Sequence, residues 1–410
     1  MSFQQGLSGL NAAAKNLDVI GNNVANASTV GFKQSQAQFA DVYASSLTGA
    51  GGSNIGIGTK LATVAQQFTQ GNITATNNPL DIAINGGGFF RMDSNGEVTY
   101  QRNGQFQLDR LGFIVNANGA RLTGYAANAA GVLATGAPVP LSINTADLAP
   151  QVTGLVNAII NLDSRNGTLP SASFDPNDPL TFHDSTAVSV YDSLGNQHVL
   201  QTYYVKTAAN TWDVFASVNG TPVGYVPPAA PVPVGTLTFN NSGALTGGSP
   251  LTVPVDVTTG AVSPFPVVVD YTSSTQFGSA FSVNTLNQDG YTSGRLSGFN
   301  IGPDGFILGR YTNGQSATLG RIVLANFSNP NGLQPLGDNQ WAETSTSGAP
   351  LVGVPDSGSL GVLQASAVED SNVDLTAELV NLITAQRVYQ ANAQTIKAQD
   401  AVLQTLVNLR

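Results

Sequence analysis

The stretch from Val373 to Arg410 constrains this chain more than any other. Leu375, Leu379, Leu382, Gln386, Tyr389, Ala393, Ile396, Asp400, Leu403 and Val407 alternate at spacings of four and three. That is the seam of a coiled coil, interrupted by polar residues at Gln386 and Asp400. No Pro or Gly occurs in the stretch, so nothing in it breaks a helix. Glu369, Asp370, Asp374 and Glu378 lie at its start and Lys397 and Arg410 towards its end, which suits the helix dipole at both poles. Ser371, Asn372 and Asp374 all have capping chemistry, and the sequence does not choose between them. At 1.5 Å per residue the helix is a rod of roughly 50 Å. An apolar stripe on such a rod has to be buried against something.

The matching stripe is at the other end of the chain. Phe3, Leu7, Leu10, Ala14, Leu17, Gly21 and Val24 repeat the same spacing, and Ser2 with Gln5 has the form of a capping box. One stripe alone reads as ordinary globular core. Two at the extreme ends, with non-helical sequence between, predict an antiparallel pairing of the termini from which the rest of the chain loops out.

A chain of 410 residues exceeds one typical core, so two or three domains are expected. A net charge of −10 with 10% charged residues argues against nucleic acid as a partner. With no cysteine, disulfides and thiolate metal sites are excluded. The 45 glycines and the recurrent Asn-Gly pairs point to hairpin-rich β structure between the helices. No apolar run reaches the roughly 18–20 residues of a membrane span, and the N-terminus lacks the basic and apolar regions of a cleaved signal peptide.

The motifs follow in order. The first helix runs into Asn22-Asn23-Val24-Ala25-Asn26-Ala27-Ser28-Thr29-Val30-Gly31-Phe32-Lys33. Here Asn and Gly end the helix and turn the chain, and Phe32 anchors the turn. Phe39-Ala40-Asp41-Val42-Tyr43 comes next, then a small-residue linker over 45–58 and an extended segment over 59–75. The linker is not a phosphate-binding loop, because no Gly-Lys-Ser/Thr follows at the required spacing. Gly86-Gly87-Gly88 leads into hairpin signals rather than a helix, so it reads as a turn. Tyr100 to Gln105 is echoed by Tyr311 to Gln315, which places 80–145 and 286–360 in one domain made of two chain segments. Residues 146–285 hold nine acids and two bases, a net −7, with Val190-Tyr191-Asp192-Ser193-Leu194-Gly195-Asn196 as a strand and turn. This is a solvent-facing inserted β domain, with a Pro-rich connector at 227–233.

The run from Asn23 to Lys33 resembles the N-terminal signature of the bacterial flagellar rod and hook family. Ser371 to Leu375 with Ala385 to Ile396 is similar to its C-terminal signature, and Leu80 to Phe90 to an internal block. The Val190 to Asn196 run and Gly278 to Asn331 resemble the hook branch most. The resemblance covers nearly the whole chain, and is loose at 146–185 and 220–275. It implies a non-enzymatic, self-assembling subunit of a helical tube, extracellular in the flagellum. The implied partners are copies of itself, a rod protein, hook cap and hook-filament junction proteins and the type III export apparatus, with no cofactor, no metal, no nucleic acid and no membrane. It implies a signature turn at Asn23, Asn26, Thr29, Gly31 and Phe32, and an export motif at Phe39 and Tyr43. A distal rod subunit and, from another class, a secreted β-domain adhesin or carbohydrate binder remain as alternatives. His183-Asp184 is the one pair that invites a catalytic reading, but no nucleophile elbow or EF-hand spacing accompanies it.

The expected fold is multi-domain α+β, with paired terminal coiled-coil helices and two nested, mainly antiparallel β domains. The expected divisions are 1–75 plus 361–410 as the inner core, 76–145 plus 286–360 as a middle domain, and 146–285 as the outer insertion. Two helices cannot bury both stripes, so subunit packing is assigned to Phe3, Leu7, Leu10, Leu17, Val24, Leu375, Leu379, Leu382, Tyr389, Ile396, Leu403 and Val407.

Overall fold

The computed structural model describes residues 2–42, 56–128, 131–224 and 232–408, with side chains from 3 to 405 within those ranges. Tyr43, nearly all of the 45–58 linker, most of the Pro-rich connector and the side chain of Val407 lie outside the described residues. The chain forms two compact units. One comprises 1–145, 298–310 and 316–410, the other 146–297 and 311–315.

The first unit carries both terminal helices, α1 (Ser2–Ala25) and α2 (Leu375–Asn408). They touch along their lengths in opposite directions, Gly6 facing Ile396 and Gly9 facing Asn392. Asp374 resolves the choice of cap: its Oδ1 accepts the Thr376 and Ala377 N–H groups at 2.9 and 3.1 Å, the geometry of an N-cap. After α1 the chain forms an antiparallel hairpin of β1 (Ser35–Val42) and β2 (Gly58–Gln66), so the 45–58 linker joins two paired strands.

The main sheet of this unit interleaves the two distant chain segments. Arg121–Ala126 pairs with Ser316–Ile322, Phe89–Ser94 with Leu324–Asn326, and Glu97–Gln101 with Gln340–Ala342, all antiparallel. Ile82–Asn85 pairs with Val362–Ala365 and Ile73–Ala75 with Ala367–Glu369, so the outgoing and returning chain run side by side towards the helices. An aromatic cluster of Phe68, Phe89, Phe327 and Trp341 in edge-to-face contacts fixes the end of β2 to this sheet, and Trp341 Nε1 donates to Gln66 Oε1 at 2.6 Å.

The second unit is a β-sandwich. One sheet is antiparallel and includes Asp184–Tyr191, Gln197–Ala208, Thr211–Val218 and Gly235–Phe239. The other is mixed: Leu155–Asp163 runs parallel to Phe265–Asp270 and Thr275–Phe277 and antiparallel to Ser282–Gln288. Alternate residues of both sheets meet in one core, with Val156, Ala158, Ile160 and Leu162 from one and Leu200, Tyr204, Trp212 and Val214 from the other. Pairing within this unit extends past residue 285, because Ser282–Gln288 belongs to its sheet.

Candidate assembly interface

The chain after α1 is pinned by side chains that imitate a strand. Asn23, 1% exposed, gives its Nδ2–H to the Ser35 carbonyl at 2.8 Å and accepts the Ser35 N–H on Oδ1 at 2.9 Å. Asn26 Nδ2 donates to the Asn22 carbonyl, and Thr29 Oγ1 donates to Asn26 Oδ1 at 3.2 Å. Gly31 has φ 72°, and a Cβ there would lie 2.5 Å from the Asn103 backbone nitrogen. Only glycine meets both demands. Phe32 is buried beside it.

The turn delivers Lys33 to a buried charge cluster. Lys33 Nζ lies 2.7 Å from Glu369 Oε1 and donates to the Thr69 carbonyl at 2.7 Å. Arg102 Nη1 lies 3.1 Å from Glu369 Oε2, and its Nη2 donates to the Gly86 carbonyl at 2.8 Å. The Gly71 N–H completes the shell on Glu369 Oε1. Burial lowers the Lys33 and Arg102 pKa values, and the Glu369 carboxylate opposes that shift in both. Three residues from three distant parts of the sequence meet here. Asn372 adds a second tie: its Oδ1 accepts the Gln34 N–H at 2.7 Å and its Nδ2 donates to the Gln67 carbonyl at 2.8 Å. Sequence reasoning assigned no site role to Lys33, Arg102 or Glu369. Lys33 closes a motif in a chain with few charges, and that is the one signal that could have marked it.

On α1 the helix contact runs one residue off the predicted seam, whereas on α2 it includes the predicted Ile396. On α1, Gly6, Ala13 and Ile20 are buried, each one residue before the expected Leu7, Ala14 and Gly21. A Cβ on Gly9 would lie 2.6 Å from Asn392 Oδ1, so small residues let the helices approach. Of the predicted packing residues, Leu10, Leu17, Val24, Leu382 and Ile396 are half-buried. Phe3 at 47% and Leu7 at 44% are exposed, as are Leu375, Leu379, Tyr389 and Leu403, and with them Val380, Ile383, Val388 and Val402. Large apolar side chains thus face outward along both helices, mostly on α2, the pattern of a surface that is covered by another chain. Phe39 of β1 is also exposed, opposite Leu61 of β2.

In the second unit the Asp192 turn is closed by its own side chain, which accepts the Leu194 and Asn196 N–H groups, Thr259 Oγ1–H and His198 Nε2. Burial disfavours its charge, but the bonds from Thr259, Asn196 and His198 outweigh that and hold its pKa well below the usual carboxylate range. The Val199 N–H fixes Asn219 Oδ1, so Asn219 Nδ2 donates to His198 Nδ1, which leaves the proton of a neutral ring on Nε2, facing Asp192. Both histidines serve the fold: His183 bonds to the Gly167 carbonyl and accepts the Lys206 N–H. Among the described residues no group of acids and histidines could hold a metal ion, and no helix is long and apolar enough to cross a membrane.

Known proteins share this plan from end to end. The flagellar hook protein FlgE of Salmonella typhimurium is 45% identical over 413 residues, and that of Escherichia coli 43% over 417, each covering all of both chains. The chain belongs to the flagellar hook protein family. Family models match in succession: a flagella basal body rod protein at 3–33, a flagellar hook protein FlgE/F/G D1 domain at 83–158, a flagellar basal body protein FlaE D2 domain at 161–291, and a flagellar basal body rod FlgEFG protein C-terminal region at 364–409. The crystal structure of Helicobacter pylori flagellar hook protein FlgE2 shares the fold with a TM-score of 0.56 at 15% identity, covering 72% of this chain and all of that one. Membership in the hook family makes this a structural flagellar protein, not an enzyme, and sets aside the adhesin reading.

Proposed function

We propose that this chain is the subunit of the flagellar hook, a curved tube that joins rod to filament and transmits torque through a bend. The reading places α1 and α2 innermost, the interleaved sheet of the first unit around them, and residues 146–297 outermost. One observation carries it: the apolar faces of α1 and α2, Phe3, Leu7, Leu375, Leu379, Tyr389 and Leu403 among them, stay exposed although the helices already touch. Neighbouring copies supply the missing burial, at about 25 cal/mol per Å² of apolar surface covered.

The same reading gives the chain its other partners. It passes through the type III export apparatus with Phe39 and Tyr43 in the export motif, polymerises beneath a hook cap, and meets the rod on one side and junction proteins on the other. Electron microscopy of the purified chain after salting-out with a kosmotrope tests the proposal, beside a copy lacking 1–30 and 365–410. Curved hollow tubes from the full chain alone are expected. Straight tubes would move the assignment to the rod, and tubes from the truncated copy would overturn the role of the helices.

A further inference from the structure

Beside the helix contact, α1, β1 and α2 enclose a cleft of about 700 Å³. Its walls are mixed: Val19, Ile20 and Val388 are apolar, and Asn16, Asn381 and Gln36 are polar. Glu378, 3% exposed, lines the same cleft. Gln34 Nε2 donates to its Oε1, whereas no donor among the described residues reaches its Oε2. A carboxylate in the first turn of α2 suits the helix dipole. The dipole does not explain a buried oxygen left without a hydrogen bond, which native proteins avoid because water is lost and nothing replaces it.

We propose that this cleft is a socket completed by a second copy of the chain, whose α2 inserts a basic side chain, Arg387 or Lys397, to bond Glu378. The inference rests on the assembly reading above. Charge complementarity selects the occupant: both bases stand exposed on α2, and neither has an acidic partner among the described residues. The chemistry fits as well, since the methylene stem of either side chain packs along Val19, Ile20 and Val388 while its head donates to the carboxylate. Oε2 has almost no accessible surface, so entry moves a side chain of the cleft wall aside. Glu378 is thus a residue whose bonding is finished only in the polymer.

The test is the critical concentration for salting-out polymerisation of the full-length chain, read by sedimentation for Glu378→Gln, Arg387→Gln, Lys397→Gln and the two doubles that include Glu378→Gln. Glu378→Gln is expected to raise the critical concentration at least about tenfold, with a monomer melting temperature equal to or above that of the unmodified chain, because a buried charge without a counter-charge has been removed. One base variant is expected to raise it similarly, and its double with Glu378→Gln to add nothing further. Additive effects in both double-mutant cycles would overturn the socket, as would a Glu378→Gln chain that polymerises normally, or one that loses assembly only because its monomer melts early. If the unmodified chain forms no tubes, the assembly reading itself fails, a different result from tubes without coupling.

Discussion

At the scale of single residues, a few charged side chains hold the termini in place. Among the described residues, Glu369 is the one carboxylate that faces both Lys33 and Arg102 in their buried cluster. Replacing it with Gln leaves two buried cations without a counter-charge, and breaking such a pair costs about 3–5 kcal/mol. Glu369→Gln is therefore expected to lower the urea midpoint of the first unit, followed by fluorescence. Lys33→Met with Arg102→Met and Glu369→Leu together removes every charge and should recover most of the loss. No recovery would mean that the cluster contributes geometry and not only charge balance. A milder case lies in the second unit, where the Arg165 guanidinium bonds Asp163 and lowers its pKa to about 2. The folded value lies below the ordinary one near 4, so this contribution is complete above that pH and fades as pH falls towards 2. Arg165→Ala should raise the Asp163 carboxyl part of the way towards its ordinary value in a carbon-13 NMR titration, the Arg165 N–H bond to Oδ1 holding the rest of the shift. An unchanged titration would assign the shift to the backbone of the 163–166 turn.

At the scale of elements, the helices, the hairpin-rich middle and the 188–205 strand pair were legible, because periodicity, the absence of Gly and Pro, and Asn-Gly turns act locally. The helix contact line was not. A heptad template reads large apolar residues as the seam, and here Gly6 and Gly9 make the close contact and Ala13 is buried, while Phe3 and Leu7 face out. Part of the stripe meets the other helix, as Ile396 does at Gly6, while Phe3, Leu7, Leu375 and Leu379 face out. The Lys33–Glu369–Arg102 cluster was illegible for another reason. Glu369 stands 336 positions from Lys33 and 267 from Arg102, and long-range contacts bring them together: Ile73–Ala75 pairs with Ala367–Glu369, and the Gly31 N–H donates to the Glu369 carbonyl. The close approach makes a sharp prediction. Gly9→Val drives a side chain into Asn392, an overpacking that costs about 1–3 kcal/mol and separates the helices. Tube formation is expected to fall steeply, and Asn392→Ala, which clears the space, should restore much of it in the double variant. A Gly9→Val chain that assembles as well as the parent would show that the helices part or rotate in the polymer.

At the scale of the whole molecule, each unit has its own core and, conveniently, one of the chain's two tryptophans: Trp341 in the first, Trp212 in the second, both buried. Trp212→Phe then leaves a probe of the first unit alone, and Trp341→Phe a probe of the second. A unit with a separate core is able to unfold on its own account. Adding Glu369→Gln to each single-tryptophan chain should lower the midpoint reported by Trp341 by roughly 1–2 M urea, at a slope of about 1–3 kcal/mol per M. The midpoint reported by Trp212 should stay in place, because the charge cluster lies wholly in the first unit. Separation of the two midpoints bears on function. A hook subunit that is held in its polymer through its helical ends, while its sandwich keeps its shape, needs that sandwich to be stable without help from the ends. Equal shifts in both probes would show one cooperative body, and the sandwich would then be as sensitive to the charge cluster as the first unit is itself.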